Sequence, residues 1–177
     1  MKNIKYFLQA ILIFIFFIIC KIIGYKQASN LGSLIGASIG PFLRPKNRLR
    51  DNIKKAFLDI EEDKINNICK NMWKNYGRIL SEYNFIKNFR NSNFKKYISI
   101  EGEEILLNIK NNKNPVIFIS GHFNNFELLA MIIEEAGVDV AALYRPLNNF
   151  FLNKMMVNIR KKYICKKQIP KGITGVK

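Results

Sequence analysis

Cysteine, histidine and acid are scarce in this 177-residue chain. The three cysteines, Cys20, Cys69 and Cys165, lie far apart, and no Cys-x-x-Cys occurs. That excludes a disulfide framework and a zinc knuckle, and makes a reducing compartment the expectation for the folded part. No Gly-x-Ser-x-Gly, Walker loop or His-Glu-x-x-His is present, so serine hydrolase, nucleotide hydrolase and zinc protease readings lack their parts. Neither a metal site nor a cofactor is expected. Ten glycines and five prolines are too few for collagen-like or mucin-like sequence, and a hydrophobic share of 49% excludes disorder.

Thirteen acids face 29 Lys and Arg, a net charge of +16. The excess is not uniform. Residues 1–50 hold eight bases and no acid, and residues 140–177 hold nine bases and no acid. Residues 51–139 hold twelve bases against all thirteen acids. A near-neutral middle without an RNA- or DNA-binding motif argues against a nucleic-acid partner. Basic ends suit an anionic lipid surface. Lys outnumbers Arg 22 to 7, and Asn and Ile are abundant, a mix that an AT-rich genome produces without selection for a polyanion.

The N-terminus carries the one long apolar run. From Tyr6 to Tyr25, thirteen of twenty residues are Ile, Leu or Phe and Lys21 is the single charge. At about −0.5 kcal/mol each, the apolar residues outweigh a cost of at most about 3 kcal/mol for one Lys near the edge. No small-x-small cleavage site follows, so residues 1–25 are expected to be an uncleaved transmembrane anchor. The larger basic cluster after the run favours a cytoplasmic C-terminal side. Residues 31–43 are apolar, short and Gly-rich, which suits a packing or interfacial element.

Residues 26–96 read as apolar and amphipathic helices. Asp59 with Glu62 has the form of a helix start, and Ile65, Ile68, Met72, Trp73, Tyr76, Ile79, Leu80 and Tyr83 recur at steps of three and four. Residues 97–177 change period. Strands are expected at Tyr97–Ile100, Pro115–Ser120, Val138–Tyr144 and from Gln168. Helices are expected over Glu101–Asn112, Phe126–Ala136 and Asn149–Lys162. Strand and helix in alternation predict an α/β core, with Pro115–Ser120 as a strand buried on both faces.

The only histidine, His122, lies in Gly121-His122-Phe123-Asn124-Asn125-Phe126-Glu127, between the apolar strand and its helix. Ligands of open parallel sheets bind at such strand-to-helix turns. An imidazole there can serve as general base at neutral pH. A carboxylate five positions on can orient it and stabilise the imidazolium. Gly121 permits close backbone approach, and the helix start offers N–H donors to an oxyanion. The plain alternative is a satisfied turn histidine and a glutamate favoured by the helix dipole.

These residues resemble the bacterial lipid A biosynthesis acyltransferases, the lauroyl and myristoyl transferases, whose hallmark turn is Gly-His-Phe-Gly-Asn-Trp-Glu. Gly121, His122, Phe123, Asn125 and Glu127 match, while Asn124 stands for Gly and Phe126 for Trp. Upstream, Arg50-Asp51-Asn52-Ile53-Lys54-Lys55-Ala56-Phe57, Asn75-Tyr76-Gly77-Arg78 with Glu82, and Ile100-Glu101-Gly102 also fit. So do Tyr144-Arg145-Pro146-Leu147-Asn148-Asn149 and Ile169-Pro170-Lys171-Gly172 downstream. The resemblance implies a membrane-anchored enzyme on the cytoplasmic face of the inner membrane. Its donor would be acyl-acyl carrier protein, its acceptor a hydroxyl of a lipid A precursor, and membrane lipids its surroundings. His122 would be the base and Glu127 its orienting partner. Arg145, Asn125 and Gly121 would bind substrate, Arg145 through the match of guanidinium to phosphate or carboxyl oxygens.

The family pattern continues past the position of Lys177, so the chain is expected to lack its C-terminal part. An inactive membrane-bound remnant is therefore the second reading. A transferase acting on phosphatidylinositol mannosides, which shares the His-to-Glu spacing, and a basic membrane-tethered nucleic-acid binder stand behind it.

Overall fold

The uncharged N-terminal run forms helix α1 (Lys2–Ile23) in a computed structural model that describes residues 2–91 and 94–172. Twenty-two residues rise about 33 Å, enough for the roughly 30 Å hydrocarbon core. Ile4, Phe7, Leu8, Leu12, Ile15, Ile18 and Ile22 are 50–79% exposed. Among the described residues α1 is the one helix long and apolar enough to cross a membrane. It ends at Gly24, whose φ of +81° breaks the helix before α2 (Tyr25–Ile39) begins.

The chain divides into two compact units, one of Phe16–Phe85 and one of Met1–Ile15 with Ile86–Lys177. In the first, α2 packs along α4 (Glu62–Glu82). Small residues make that possible. A Cβ on Gly77 would run into the Gly32 carbonyl oxygen, and one on Gly36 into the Trp73 carbonyl. Ser29 Oγ donates to Glu82 at 2.7 Å, and Arg78 Nη1 donates to Ser29 Oγ and Asn30 Oδ1 at 3.2 Å each. Helix α3 (Lys46–Ala56) is pinned to α4 through Arg50 and Lys54, both on Glu62. That capture explains why α4 starts at Glu62 rather than after an Asp59 cap. The Glu62 carboxylate is engaged by cations and makes no capping box. Of the expected α4 stripe, Ile65 and Trp73 are buried, whereas Ile68, Tyr76 and Leu80 stay exposed. The close glycine contact turns the Gly77 and Ser81 side of the helix inward instead.

The second unit holds α5 (Ile86–Arg90), α6 (Glu103–Asn112), α7 (Glu127–Glu135), β1 (Ala141–Tyr144), α8 (Phe150–Tyr163) and β2 (Lys167–Pro170). Here the strand–helix–strand expectation holds. β1 and β2 pair in parallel, Ala141 opposite Lys167 and Tyr144 opposite Pro170, with α8 as the crossover. Gly137, at φ +88°, closes α7 as its place in the sequence suggests. Asn149 caps α8, its side chain accepting from Phe151 N at 3.2 Å and Leu152 N at 3.4 Å. The same side chain donates to the Tyr6 carbonyl at 2.8 Å, and Phe151 packs on Phe7.

The α/β expectation is met only in this unit of two strands; the fold is mostly helical, 68% helix and 5% strand. Tyr97–Ile100 is not a strand but the end of a 3-10 turn (Lys95–Tyr97) followed by extended chain. Pro115–Ser120 has no regular secondary structure and joins no ladder, with Ile117 88% and Ile119 92% exposed. A strand of continuous apolar residues needs neighbours on both edges and cover on both faces. Among the described residues, the sheet is β1 and β2 alone. Residues 173–177 of the expected 97–177 core lie outside the described residues.

Candidate active site

The Gly121–Phe126 segment runs from the apolar Pro115–Ser120 run into the first residue of α7. Its geometry depends on one backbone choice. Asn124 sits at φ +43°, in the left-handed region that Asn tolerates better than any other residue with a Cβ. This is the position at which the resemblance expects Gly, so Asn replaces it where the backbone still permits. The turn closes through Phe126 N donating to the Asn124 carbonyl at 3.0 Å and Leu128 N to the Asn125 carbonyl at 3.1 Å. A Cβ on Gly121 would press on the Phe123 ring at 2.5 Å.

His122 is exposed and lies against the Phe126 ring, centroids 4.3 Å apart. Glu127, the first residue of α7, is buried, with 8% of its side chain exposed. Its carboxylate is held by Arg160 from α8. Arg160 Nε donates to Oε1 at 2.9 Å and to Oε2 at 3.1 Å, and Nη2 makes an ion pair with Oε1. Among the described residues, no hydrogen bond joins Glu127 to His122. The Arg160 guanidinium also lies 5.8 Å from the centroid of Tyr144, at the end of β1. Thus the start of α7, the last turn of α8 and the end of β1 converge on one buried ion pair.

The other end of α7 is fixed the same way. Arg90 pairs with Glu134, lies 3.6 Å from Glu135, and donates to the Met131 carbonyl at 3.4 Å. Held at both ends by guanidinium groups, α7 presents its N-terminal N–H groups and the preceding turn from a rigid base. Such groups suit a developing oxyanion. Arg145 follows β1 directly, is exposed, and makes no ion pair among the described residues. Asn125 is half-buried where the turn meets α7.

The structure therefore brings Gly121, His122, Asn125 and Glu127 into one turn and places Arg145 just after β1. It adds Arg160, which the residue pattern did not single out. One signal for it is present. Arg160 opens the run Arg160-Lys161-Lys162, and in a chain this rich in Lys a lone Arg marks a place where a planar fork is needed.

A family model described as bacterial lipid A biosynthesis acyltransferase matches residues 1–171. Comparison with curated proteins gives no match, and none comes from comparison with solved structures.

Proposed function

The chain belongs to the bacterial lipid A biosynthesis acyltransferase family, and from that premise we propose that it transfers a fatty acyl chain from acyl-acyl carrier protein to a hydroxyl of a lipid A precursor. The reaction takes place on the cytoplasmic face of the inner membrane, with α1 as the anchor. His122 accepts the proton of the acceptor hydroxyl as the oxygen attacks the thioester carbonyl. The tetrahedral oxyanion is stabilised by N–H groups at the start of α7. The C–S bond then breaks, and the leaving thiolate takes the proton back from the imidazolium. Glu127 supports that imidazolium. Oε2 accepts from Arg160 Nε at 3.1 Å, and a carboxylate oxygen can accept the imidazole N–H as well. Arg145 meets the phosphate of the lipid acceptor or a carboxylate on the carrier protein.

The observation that carries this reading is the turn itself, with a lone exposed histidine set five residues before a buried, arginine-clamped glutamate at a helix start. General base catalysis contributes on the order of 10²–10⁴ in rate. His122→Ala should remove one acyl chain from the lipid A of cells that depend on this gene, and the mass difference names the fatty acid. Lipid A identical in wild type and His122→Ala would overturn the mechanism. A second reading, a membrane-bound family member without turnover, is favoured by the absence of a His122–Glu127 hydrogen bond among the described residues. Purified protein that shows no transfer from any acyl-acyl carrier protein would support it.

A further inference from the structure

At the far end of α2 the chain makes a one-turn 3-10 helix (Gly40–Phe42), closed by Leu43 N donating to the Gly40 carbonyl at 2.9 Å. Gly40 is buried against Trp73, and beyond Pro41 the side chains of Phe42 and Leu43 are left uncovered. Phe42 is 87% exposed and Leu43 69%, with Ile39 exposed beside them. Large apolar side chains this open to water, next to one another, mark a surface that meets something apolar. The sequence immediately after them is Arg44-Pro45-Lys46-Asn47-Arg48, and no acid occurs anywhere in residues 1–50. Arg44 and Arg48 are exposed and make no ion pair among the described residues, whereas Arg50, two residues further, is taken by Glu62.

An apolar tip with a basic collar has one chemically matched partner, an anionic lipid surface. The aromatic and aliphatic groups enter the acyl boundary while guanidinium groups meet lipid phosphates. We propose that Phe42 and Leu43, collared by Arg44 and Arg48, form a wedge that inserts into the headgroup boundary of an anionic bilayer. This contact is separate from α1. The inference holds whether or not the chain turns over acyl groups.

The test uses the full chain reconstituted in vesicles of phosphatidylcholine alone or mixed with phosphatidylglycerol. Phe42→Trp adds one indole to the buried Trp73, and subtracting the wild-type spectrum isolates its emission. The expected result is a blue shift, with loss of most of that emission when the phosphatidylglycerol vesicles carry brominated acyl chains. Combining Phe42→Trp with Arg44→Glu and Arg48→Glu should restore most of it. Emission typical of water that brominated lipid does not quench would overturn the proposal. So would a blue shift without quenching, because the tip would then be covered by protein, such as a second copy. Equal quenching in neutral and anionic vesicles would refute the role of the basic collar. Circular dichroism matching wild type shows that the variants are folded, as expected for positions this exposed.

Discussion

Replacing Arg160 by Met keeps the length and packing of the side-chain stem but leaves the Glu127 carboxyl without its guanidinium partner in a nearly closed site. With 8% and 13% of the two side chains exposed, solvent screens the pair little. Removing one partner of such a pair costs about 3–5 kcal/mol, most of it the desolvation of the charge left behind. In a chain of this size each kcal/mol moves the midpoint by about 2–4 °C, so Arg160→Met should melt roughly 6–20 °C below wild type. The decisive assay is a double-mutant cycle by thermal unfolding in detergent. Glu127→Gln alone strands the guanidinium, whereas Glu127→Gln with Arg160→Met removes both charges and should cost less than the sum. A coupling of about 2 kcal/mol is expected. Arg160→Lys should recover only part of the loss, because an ammonium cannot reproduce the fork that spans Oε1 and Oε2. Single effects that add to within about 0.5 kcal/mol would show that the pair does not fix the start of α7, and the reasoning about the site would fail.

Three further outcomes follow from the packing. Gly77→Ala should destabilise the chain by about 1–3 kcal/mol, because the new methyl meets the Gly32 carbonyl. Helix propensity alone predicts a gain of about 1 kcal/mol, so the sign of the change in melting midpoint decides between them. Asn124→Gly should leave stability within a few tenths of a kcal/mol, while Asn124→Val should cost about 1–2 kcal/mol, since φ +43° is strained for a β-branched residue; equal midpoints for the two would rule out the left-handed turn. Burial pushes the Cys165 thiol above its ordinary range, and its sulfur lies on the Val140 and Lys167 carbonyls at 2.9 and 3.3 Å. A raised pKa leaves less thiolate at any given pH, so Cys165 should be alkylated more slowly than half-buried Cys69 at neutral pH, the gap narrowing as pH rises. Peptide mass spectrometry checks this, and equal rates would refute it.

What could be read from the residues was local. Gly137 ending α7 and the period change after residue 97 each depend on a few neighbours in the chain, and with the helix expected over Asn149–Lys162 they placed β1, α8 and β2 close to where they lie. The run Pro115–Ser120 could not be settled that way. Continuous apolar residues state that cover is required without stating what supplies it, and a ladder depends on a partner elsewhere in the chain. The start of α4 shows the same limit at shorter range. Glu62 fits a capping box by spacing, but Arg50 and Lys54 on α3 compete for its carboxylate, and charge-assisted contacts outweigh a neutral N–H. In the site, the His122-to-Glu127 spacing was legible because one turn contains both. Arg160, 33 residues downstream of Glu127, becomes visible only when α8 folds back.

The arginines, taken together, separate what holds the fold from what is left for ligands. A composition biased to Lys makes each of the seven informative, since Lys supplies charge equally well wherever geometry does not matter. Four lie in networks whose acceptors are spaced for a planar group: Arg50 on Glu62 and Asn66, Arg78 on Ser29 and Asn30, Arg90 on Glu134 and Met131, and Arg160 on Glu127. The other three, Arg44, Arg48 and Arg145, are exposed and without an ion pair among the described residues. Two of them flank the Phe42–Leu43 tip, and the third follows β1, the strand whose last residue lies beside the Arg160 guanidinium. An exposed guanidinium without an ion pair among the described residues suits an oxyanion from outside the chain, and on the proposed function phosphate is the group common to a bilayer surface and a phosphorylated sugar lipid. The same residue type therefore holds the start of α7 from within and, on the proposals above, meets phosphate at exposed positions. The fold decides which by whether it supplies an acceptor.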